Sequence, residues 1–361
     1  MNTDVPWHHV HFTGIGGVGM SGLAHILLDW QVVVSGTDAA DSAALQHLSV
    51  RGAKVSVPHD ADTVGEADLL VHSSAVQLDN PELVRAREQG IPIVRRGAFL
   101  ARVAARYPQV VAVAGSHGKT TTTAMLAHVL RSAGCAPGFL VGGDILGQLR
   151  PARAGGGRIF VTEVDESDGT QALVHSSHAV VLNVDDDHCW SLGGVDALEQ
   201  CFVDFSRGGD RLFAWDSSHL RELLGGHPRA EFVGQGAAPS GLRLQVVGEY
   251  YGWNATMVAA VAAALGIPAA VTVASLATVQ GVGRRLTRHL ETPDQRFVLV
   301  EDYAHHPTEL RCTLRSLRDT YPDHALSVVF QPHRFERIKR YAGEFGQALG
   351  MADDVTVVPP F

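Results

Sequence analysis

A lysine in a short glycine-rich loop is the feature of this sequence that most directly suggests chemistry. The stretch AVAGSHGKTTTTAML, Ala112–Leu126, places Lys119 after Gly115 and Gly118 and directly before Thr120. A loop of this kind between a buried strand and a helix presents backbone N–H groups and an ammonium to nucleotide phosphates, and a threonine hydroxyl to Mg²⁺. The standard phosphate loop has four residues between its glycines and this one has two, so the motif is a variant.

The alternative for Lys119 is a solvated lysine in the first turn of a helix. A positive charge at a helix N-terminus is unfavourable unless an anion offsets it, which favours a bound phosphate. The expected phosphate-binding residues are Gly115, Ser116, His117, Gly118, Lys119, Thr120 and Thr121.

Two acidic runs follow apolar runs further along the chain. Because ligands of open parallel sheets bind beyond the carboxyl ends of the strands, both runs are expected near the lysine loop. Carboxylate oxygens suit Mg²⁺, which favours a magnesium nucleotide site, although either run alone is more often a solvated loop. For His188 the alternative is a hydrogen-bonded structural histidine, since imidazole suits zinc better. The runs contain Glu163, Asp165, Glu166 and Asp168, and then Asp185, Asp186, Asp187 and His188.

A second glycine-rich loop lies near the N-terminus. Gly14, Gly16 and Gly19 have the G-x-G-x-x-G spacing between an expected strand and a helix, and Asp38 follows the next strand. Such a loop lets backbone N–H groups approach a diphosphate, and the acid can bind a ribose hydroxyl. Taken alone the pattern favours a nicotinamide oxidoreductase, and its alternative is a tight turn with close helix packing.

The elements that must position these residues alternate between short apolar runs and helical stretches. Three such cycles begin near His8, at VVAVAG and at RFVLVEDY. This alternation predicts an α/β fold of three consecutive Rossmann-like or P-loop-like parallel-sheet domains. The expected domains are 1–107, 108–290 and 291–361. The third has only half the elements of a doubly wound unit, so we expect a missing C-terminal segment or a partner to complete it.

Composition narrows the function classes. The 361 residues exceed one hydrophobic core, and the net charge of -9 gives no basic face for nucleic acid. The apolar stretch Ala255–Ile267 is shorter than the roughly 20 residues that span a bilayer, and no secretory signal is visible. We therefore expect a cytoplasmic protein without membrane insertion. The cysteines Cys135, Cys189, Cys201 and Cys312 lack C-x-x-C spacing and are expected to be free thiols.

Seven motifs together resemble the Mur ligase family, and a shared order of seven is more specific than any one of them. In order from His11 to Arg337 they are HFTGIGGVGMSGLA, GSHGKTTTT, EVDESD, NVDDDH, GVGRRL, EDYAHHPTE and FQPHRFER.

The resemblance implies an ATP-dependent amide ligase of peptidoglycan precursor synthesis, which joins L-alanine to UDP-N-acetylmuramate through an acyl phosphate. In this family the first domain binds the UDP part of the sugar, which replaces the nicotinamide interpretation. The implied catalytic residues are Lys119, Glu163 and His188. One magnesium ion is implied at Thr120 and Glu163, and a second at His188 and Glu163. The implied sugar-nucleotide residues are Gly14, Gly16, Gly17, Gly19, Met20, Ser21, Asp38, Ser73 and Ser74.

The resemblance also assigns the rest of the ATP and amino-acid sites. Asn254 would contact adenine, Arg285 the phosphates and Asp302 the ribose. Arg334 and Arg337, with His305, would bind the carboxylate of L-alanine. Arginines three apart can share a helical face and hold a carboxylate, but an exposed basic face is the commoner meaning of that spacing, and the pair would hold any α-carboxylate.

The sequence departs from the family at several positions. Tyr250 and Tyr251 replace a His-Asn pair near the adenine site, and Trp190 replaces an acid after His188. Tyrosine can stack on adenine but lacks the paired donor and acceptor of an asparagine amide. Two alternatives to the L-alanine ligase follow. One is a catalytically impaired or truncated sugar-nucleotide-binding relative, and the other is a ligase that adds a preformed peptide to the same sugar nucleotide.

Overall fold

The chain folds into three successive α/β units, each defined below by its own sheets. The computed structural model describes residues 5–147, 150–165, 169–186, 193–236, 238–292, 294 and 296–360. Within these ranges no helix is both long enough and apolar enough to cross a bilayer. The expected metal residue His188 lies outside the described residues, as do Glu166, Asp168, Asp187 and Trp190.

The first unit contains five strands and four helices. Its strands are β1 (His9–Thr13), β2 (Val33–Thr37), β3 (Lys54–Ser56), β4 (Leu69–His72) and β5 (Ile93–Arg95), and its helices are α1 (Val18–Asp29), α2 (Ala43–Val50), α3 (Pro81–Glu88) and α4 (Arg96–Ala104). The strands form a parallel sheet in the order β3-β2-β1-β4-β5, as the alternation of apolar runs and helices predicts. The glycine loop therefore leaves the central strand at its carboxyl end.

Glu82 of α3 is a fully buried carboxylate in the first unit. It accepts hydrogen bonds from the Thr37 hydroxyl at 2.5 Å and the Asp60 backbone N–H at 3.0 Å, and His11 Nε2 lies 3.1 Å from its second oxygen. Burial alone would raise the pKa of Glu82, but the contacts with His11 and Thr37 outweigh it and lower the pKa to about 2. The carboxylate therefore ties α3 to both β1 and β2.

Within its described residues, the second unit contains seven strands and five α-helices. Its strands are β6 (Gln109–Ala114), β7 (Gly138–Leu140), β8 (Ala152–Arg153), β9 (Ile159–Glu163), β10 (Ser176–Val181), β11 (Gly209–Trp215) and β12 (Ala230–Val233), and its helices are α5 (Lys119–Ser132), α6 (Val195–Arg207), α7 (Ser218–Leu224), α8 (Glu249–Ala264) and α9 (Ala269–Leu276). The sheet order is β12-β11-β10-β6-β9-β7-β8, and the pairings are parallel except that of β8 with β7. Strand β6 thus lies between β9 and β10, so the lysine loop is flanked by the two strands that end in acidic runs.

The first two units share one continuous apolar core. Tyr107 stacks on Phe160 of β9 with ring centroids 4.8 Å apart and donates its hydroxyl to the Ala154 carbonyl at 2.7 Å. Asp29, at the end of α1, accepts from Arg150 at 2.9 Å and from the Ala154 backbone N–H at 2.9 Å. Aromatic stacking of this kind contributes about 0.5–1.5 kcal/mol beyond burial. These contacts fix the two sheets relative to each other.

The third unit is smaller and has its own core. It contains β13 (Thr287–Glu291), β14 (Val298–Glu301), α10 (Pro307–Thr320), β15 (Ser327–Phe330), α11 (Phe335–Leu349) and β16 (Asp354–Val357). Strands β15 and β16 pair in parallel, as expected. Strand β14, which the sequence indicates as the first strand of that parallel cycle, instead pairs antiparallel with β13. The domain limits 1–107, 108–290 and 291–361 remain predictions.

Candidate active site

The lysine loop joins β6 to α5 and needs both of its glycines. Gly115 and Gly118 have φ values of 142° and 84°, which side chains rarely adopt. A Cβ at Gly115 would lie 3.0 Å from the Leu182 side chain and 3.2 Å from the Asn183 backbone nitrogen. Lys119 begins α5 and donates from Nζ to the Gly115 carbonyl at 2.5 Å. The ammonium thus lies at the N-terminus of α5, where the positive end of a helix favours an anion.

Residues after β10 brace this loop from behind. Asn183 accepts from the His117 backbone N–H at 2.7 Å and donates to the His117 carbonyl at 3.1 Å. The Asp185 backbone N–H donates to the Ser116 hydroxyl at 2.9 Å. Sequence reasoning missed Asn183, although an amide at a strand end directly before an acidic run was the available signal. Ser116 and His117 therefore shape the loop through their neighbours.

Thr120 and Glu163 come together beside the lysine. The Thr120 hydroxyl donates to Glu163 Oε2 at 2.7 Å, and a Cβ at Gly142 would collide with the same carboxylate. Burial raises the pKa of Glu163, which the Thr120 hydrogen bond and the charge of Lys119 oppose. A desolvated carboxylate and a hydroxyl are hard oxygen donors, so these two residues fit a magnesium ion.

A central cleft of about 410 Å³ opens where the three units meet, and Lys119, Thr120 and Glu163 lie in its wall. Each unit supplies part of the lining. The first unit contributes Gly17, Gly19, Met20, Ser73, Ser74 and Arg96 to the lining. The second contributes Gly142, Asp165, Arg284 and Arg285, and the third contributes Tyr303. The structure therefore brings most of the expected sugar-nucleotide residues to the same cavity as the lysine loop.

The remaining residues of the first glycine loop shape it from outside the cleft lining. Asp38 accepts from the Gly16 backbone N–H at 2.8 Å, and Gly14 has a φ of 81°. The Ser21 hydroxyl donates to the Val18 carbonyl at 3.1 Å. Asp38 thus holds the loop, and its expected contact with ribose stays a prediction.

Arg96 is a cleft residue that sequence reasoning missed. Its guanidinium packs against Gly19, where a Cβ would lie 3.1 Å from Nη1. Arg96 begins α4 directly after a strand of only three residues. Its place in the cleft depends on packing against Gly19, which is distant in sequence, so the local pattern does not predict it.

A side pocket of about 80 Å³ continues from the central cleft between α5, α8 and α10. Tyr250 accepts a hydrogen bond from the Cys312 thiol at 2.8 Å, and Tyr251 donates to the Arg285 carbonyl at 3.0 Å. Burial keeps the pKa of both phenols above the usual range, to about 12 for Tyr251. The expected ATP residues that line this pocket are His117, Gly118, Thr120, Thr121, Asn254, Arg285 and Asp302.

Asp302 has a structural task in this pocket. It accepts from the Leu286 backbone N–H at 2.7 Å and from the Ala304 backbone N–H at 2.8 Å. Arg284 and Leu286 both have left-handed backbones, with φ values of 58° and 47°. Such residues cost about 1 kcal/mol or more each, and the hydrogen bond from the Leu286 backbone N–H to Asp302 offsets part of that cost at Leu286.

His117 lies between two carboxylates at the boundary of the second and third units. Its Nε2 is 2.8 Å from Asp185 Oδ2, and its Nδ1 is 3.2 Å from Glu309 Oε1. Burial alone would lower the pKa of His117, but the two acids outweigh it and raise the pKa to about 9. Contacts with His117, His305 and Arg285 hold the pKa of Glu309 well below its usual range, against the effect of burial.

His306 joins His117 and Asp185 in a cluster whose ligand atoms all lie within 4.8 Å. A metal ion does not fit the hydrogen bonding there. Nδ1 of His306 accepts from the Thr308 backbone N–H at 3.4 Å, so its Nε2 carries the proton and has no lone pair for a metal.

The expected amino-acid residues differ from one another in position. Arg337 lies in α11, is fully buried, and donates to the His333 carbonyl at 3.3 Å. Arg334 precedes α11 with a φ of 66° and is exposed. The expectation of one shared helical face is therefore wrong, because the helix starts after Arg334. The rings of His305 and His333 lie 5.9 Å apart, which brings His305 to the same region.

Three profiles of Mur ligase domains match this sequence in chain order. The profile described as Mur ligase family, catalytic domain, matches residues 9–108. The Mur ligase middle domain matches residues 113–208, and the Mur ligase, glutamate ligase domain, matches residues 284–360.

Individual relatives agree with the profiles. A UDP-N-acetylmuramate–L-alanine ligase of Acidovorax sp. is 39% identical over 384 residues, which cover 96% of this chain and 80% of that protein. The crystal structure of the UDP-N-acetylmuramate-alanine ligase from Thermotoga maritima superposes with a TM-score of 0.84 at 29% identity, over 98% of this chain and 85% of that one. A UDP-N-acetylmuramate:L-alanyl-gamma-D-glutamyl-meso-diaminopimelate ligase from Neisseria meningitides gives a TM-score of 0.70 at 26% identity, over 76% of this chain and 99% of the other.

Proposed function

Since this chain belongs to the Mur ligase family, we propose that it joins L-alanine to UDP-N-acetylmuramate in a reaction driven by ATP. The observation that carries the proposal is the central cleft, where the sugar-nucleotide loop of the first unit faces Lys119 and Arg285. The relative from Acidovorax sp., which matches 96% of this chain, is named for that reaction. An L-alanine ligase is therefore preferred to a preformed-peptide ligase, an inactive relative or a nicotinamide enzyme.

The chemistry is two successive displacements. The lactyl carboxylate of UDP-N-acetylmuramate attacks the γ-phosphorus of ATP. The bond between this phosphorus and the β,γ-bridging oxygen breaks, ADP leaves, and an acyl phosphate forms. The L-alanine amine then attacks the acyl carbon of the acyl phosphate, inorganic phosphate leaves, and the amine loses a proton as the amide forms. We assign Lys119 and Arg285 to the phosphates, where their charges offset the negative charge that spreads over the transferring group.

Thr120 and Glu163 are the residues that would hold a magnesium ion, because they pair two hard oxygen donors 2.7 Å apart beside Lys119. When bound, magnesium neutralises phosphate charge and orients the triphosphate. His188 is assigned to a second ion together with Glu163, as the family resemblance implies.

The side pocket is assigned to the nucleoside of ATP. Asn254 would contact the base and Asp302 the ribose, while Tyr250 and Tyr251 supply aromatic surface. His305, Arg334 and Arg337 are assigned to the carboxylate of L-alanine. Because both nucleotide substrates are made inside cells, the cytoplasm is the proposed compartment.

The test is a reaction of the purified chain with magnesium ATP, UDP-N-acetylmuramate and L-alanine. We expect ADP release that requires both co-substrates, and an amide product visible by mass spectrometry. ADP release independent of both, with no amide, contradicts the proposal. A product that forms only when a preformed peptide replaces L-alanine would instead establish the peptide ligase.

A further inference from the structure

Glu309 of α10 connects two parts of the active site through its two carboxylate oxygens. On one side, Oε1 lies 3.2 Å from His117 Nδ1 and 3.5 Å from Arg285 Nη1. His117 belongs to the phosphate loop, two residues before Lys119, and Arg285 lines both the central cleft and the side pocket. One oxygen therefore faces groups assigned to ATP.

The other oxygen faces the segment that begins α10. Oε2 accepts from the His305 backbone N–H at 3.0 Å and from the His306 backbone N–H at 3.3 Å, and it lies 3.3 Å from His305 Nδ1. His305 is a residue assigned to the amino-acid site. The same carboxylate therefore fixes the backbone that carries an amino-acid-binding group.

The contacts that Glu309 makes with both parts of the site are buried. The Glu309 side chain is only 11% exposed, and the His117 side chain only 7%. Charge pairs in such surroundings are screened little by water, so their attraction is strong. A displacement of one side chain therefore moves the other. The basic groups around Glu309 are His117, His305 and Arg285, and Asp185 lies on the far side of His117.

We propose that Glu309 is a positioning residue that couples nucleotide binding at the phosphate loop to amino-acid binding at His305. A nucleotide that orders the lysine loop fixes His117, His117 fixes Glu309, and Glu309 fixes the backbone of His305. This inference rests on the proposed function, because it takes the phosphate loop as the ATP site and His305 as part of the L-alanine site. By linkage, L-alanine tightens nucleotide binding by the same factor.

The competing explanation is a purely structural one. Glu309 occupies the third helical position of a capping box whose first residue is His306, and that role alone stabilises α10. Glutamine fills the same capping role as glutamate. The variant Glu309→Gln therefore keeps an acceptor for the backbone N–H groups while it removes the charge that faces His117 and Arg285.

The experiment measures the dissociation constant of L-alanine with and without a non-hydrolysable magnesium ATP analogue, at saturating UDP-N-acetylmuramate. In the wild-type chain we expect the analogue to tighten L-alanine binding by at least about fivefold. In Glu309→Gln this factor should fall below about twofold, and loss of the buried charge beside His117 and Arg285 should also lower the melting temperature. As a matched control, Ser217→Ala removes a helix cap of α7, where the hydroxyl accepts from the Leu220 backbone N–H at 3.2 Å, and should lower stability while it leaves the factor unchanged.

A double-mutant cycle with His117→Asn completes the test. Because the two residues act in series, the kcat/KM for L-alanine of the double variant should be no lower than that of the worse single variant. A wild-type factor near one, an unchanged factor in Glu309→Gln, or additive losses would each overturn the coupling while amide formation by the wild type still supports the ligase. Absence of any amide product from the wild type would overturn the proposed function and this inference together.

Discussion

Two side chains of the central cleft, those of Lys119 and Glu163, depend on nearby glycines for their positions. The Lys119 ammonium is held by the carbonyl of Gly115, and the Glu163 carboxylate occupies space that a side chain at residue 142 would fill. Both charged groups are therefore set by backbone that comes close to them. The phosphate role of Lys119 can be tested by replacing the lysine itself, and the magnesium role of Glu163 by replacing Gly142 beside it.

Replacing Lys119 by alanine should lower kcat/KM for ATP by at least about 100-fold, because the transferring phosphoryl group loses its nearest fixed positive charge. The variant should still fold, because Lys119 lines the central cleft and is not part of the apolar core. Steady-state ADP release measures the first effect and thermal unfolding the second. Lys54→Ala, at an exposed position of β3, is the control and should match the wild type. An unchanged kcat/KM for Lys119→Ala would contradict the assignment of Lys119 to the ATP phosphates.

Replacing Gly142 by alanine should disturb the magnesium residues without touching their chemistry. The added Cβ overlaps the Glu163 carboxylate, which must turn away from Thr120. We expect the magnesium concentration for half-maximal activity to rise severalfold, as measured by titrating the ion at fixed ATP. Gly343→Ala, an exposed helix position with open space around its Cβ, should leave the magnesium dependence unchanged. Identical magnesium curves for Gly142→Ala and the wild type would argue against Glu163 as a ligand.

At the scale of elements, strand order explains why the expected site residues lie close together. Strand β6 lies between β9 and β10, so local signals at three strand ends meet at one edge. The pairing of β13 with β14 could not be predicted, because TRHLE has no apolar period and is read as a strand only once its partner lies beside it. Asn183 and Glu309 were not predicted because their partners are distant in sequence. Arg334 was predicted as a site residue, but nothing local marks the positive φ that places it outside the helix.

Helix α3 is joined to β1 and β2 by the buried Glu82, which makes the stability of the first unit depend on acid. The pKa of Glu82 is depressed in the folded state, so its contribution is complete above the unfolded pKa near 4.5 and is lost as the pH falls toward 2. At pH 7 the contribution is about 3 kcal/mol, from the difference in pKa and 1.36 kcal/mol per unit.

Urea unfolding of Glu82→Gln at pH 7 and at pH 3 measures this contribution. The variant should be destabilised by about 3 kcal/mol at pH 7, and the gap from the wild type should narrow as the pH falls. Glu88→Gln, on the same helix but 62% exposed, should show no such gap. A gap for Glu82→Gln that does not change with pH would mean that packing, rather than the charge, is responsible.

The whole molecule has two cores of unequal size. The first and second units share one, whereas the third packs around a small cluster that includes Leu310, Leu314, Phe330 and Phe345. The third unit contacts the second through polar groups, among them the Tyr341 hydroxyl, which donates to Asp186 at 2.5 Å. Because polar contacts couple units less strongly than a shared core, the chain should not unfold in a single step.

Calorimetry of the chain should therefore show two transitions, with the smaller one at the lower temperature. A magnesium nucleotide at about 100 times its dissociation constant should stabilise the bound form by about 2.7 kcal/mol and move the smaller transition toward the larger. UDP-N-acetylmuramate alone, which is assigned mainly to the first unit, should move the smaller transition less. One transition without ligand, with equal calorimetric and van't Hoff enthalpies, would contradict this division.

The walls of the central cleft come from all three units, and this arrangement has a consequence for the lifetime of the protein. A substrate that fills this cleft contacts all three units, so it should protect the third unit from local unfolding and from proteolysis of the unfolded form. When nutrient supply falls and the pools of nucleotide and sugar shrink, this protection should be lost. Scarcity would then remove idle copies of the enzyme as well as slow those that remain.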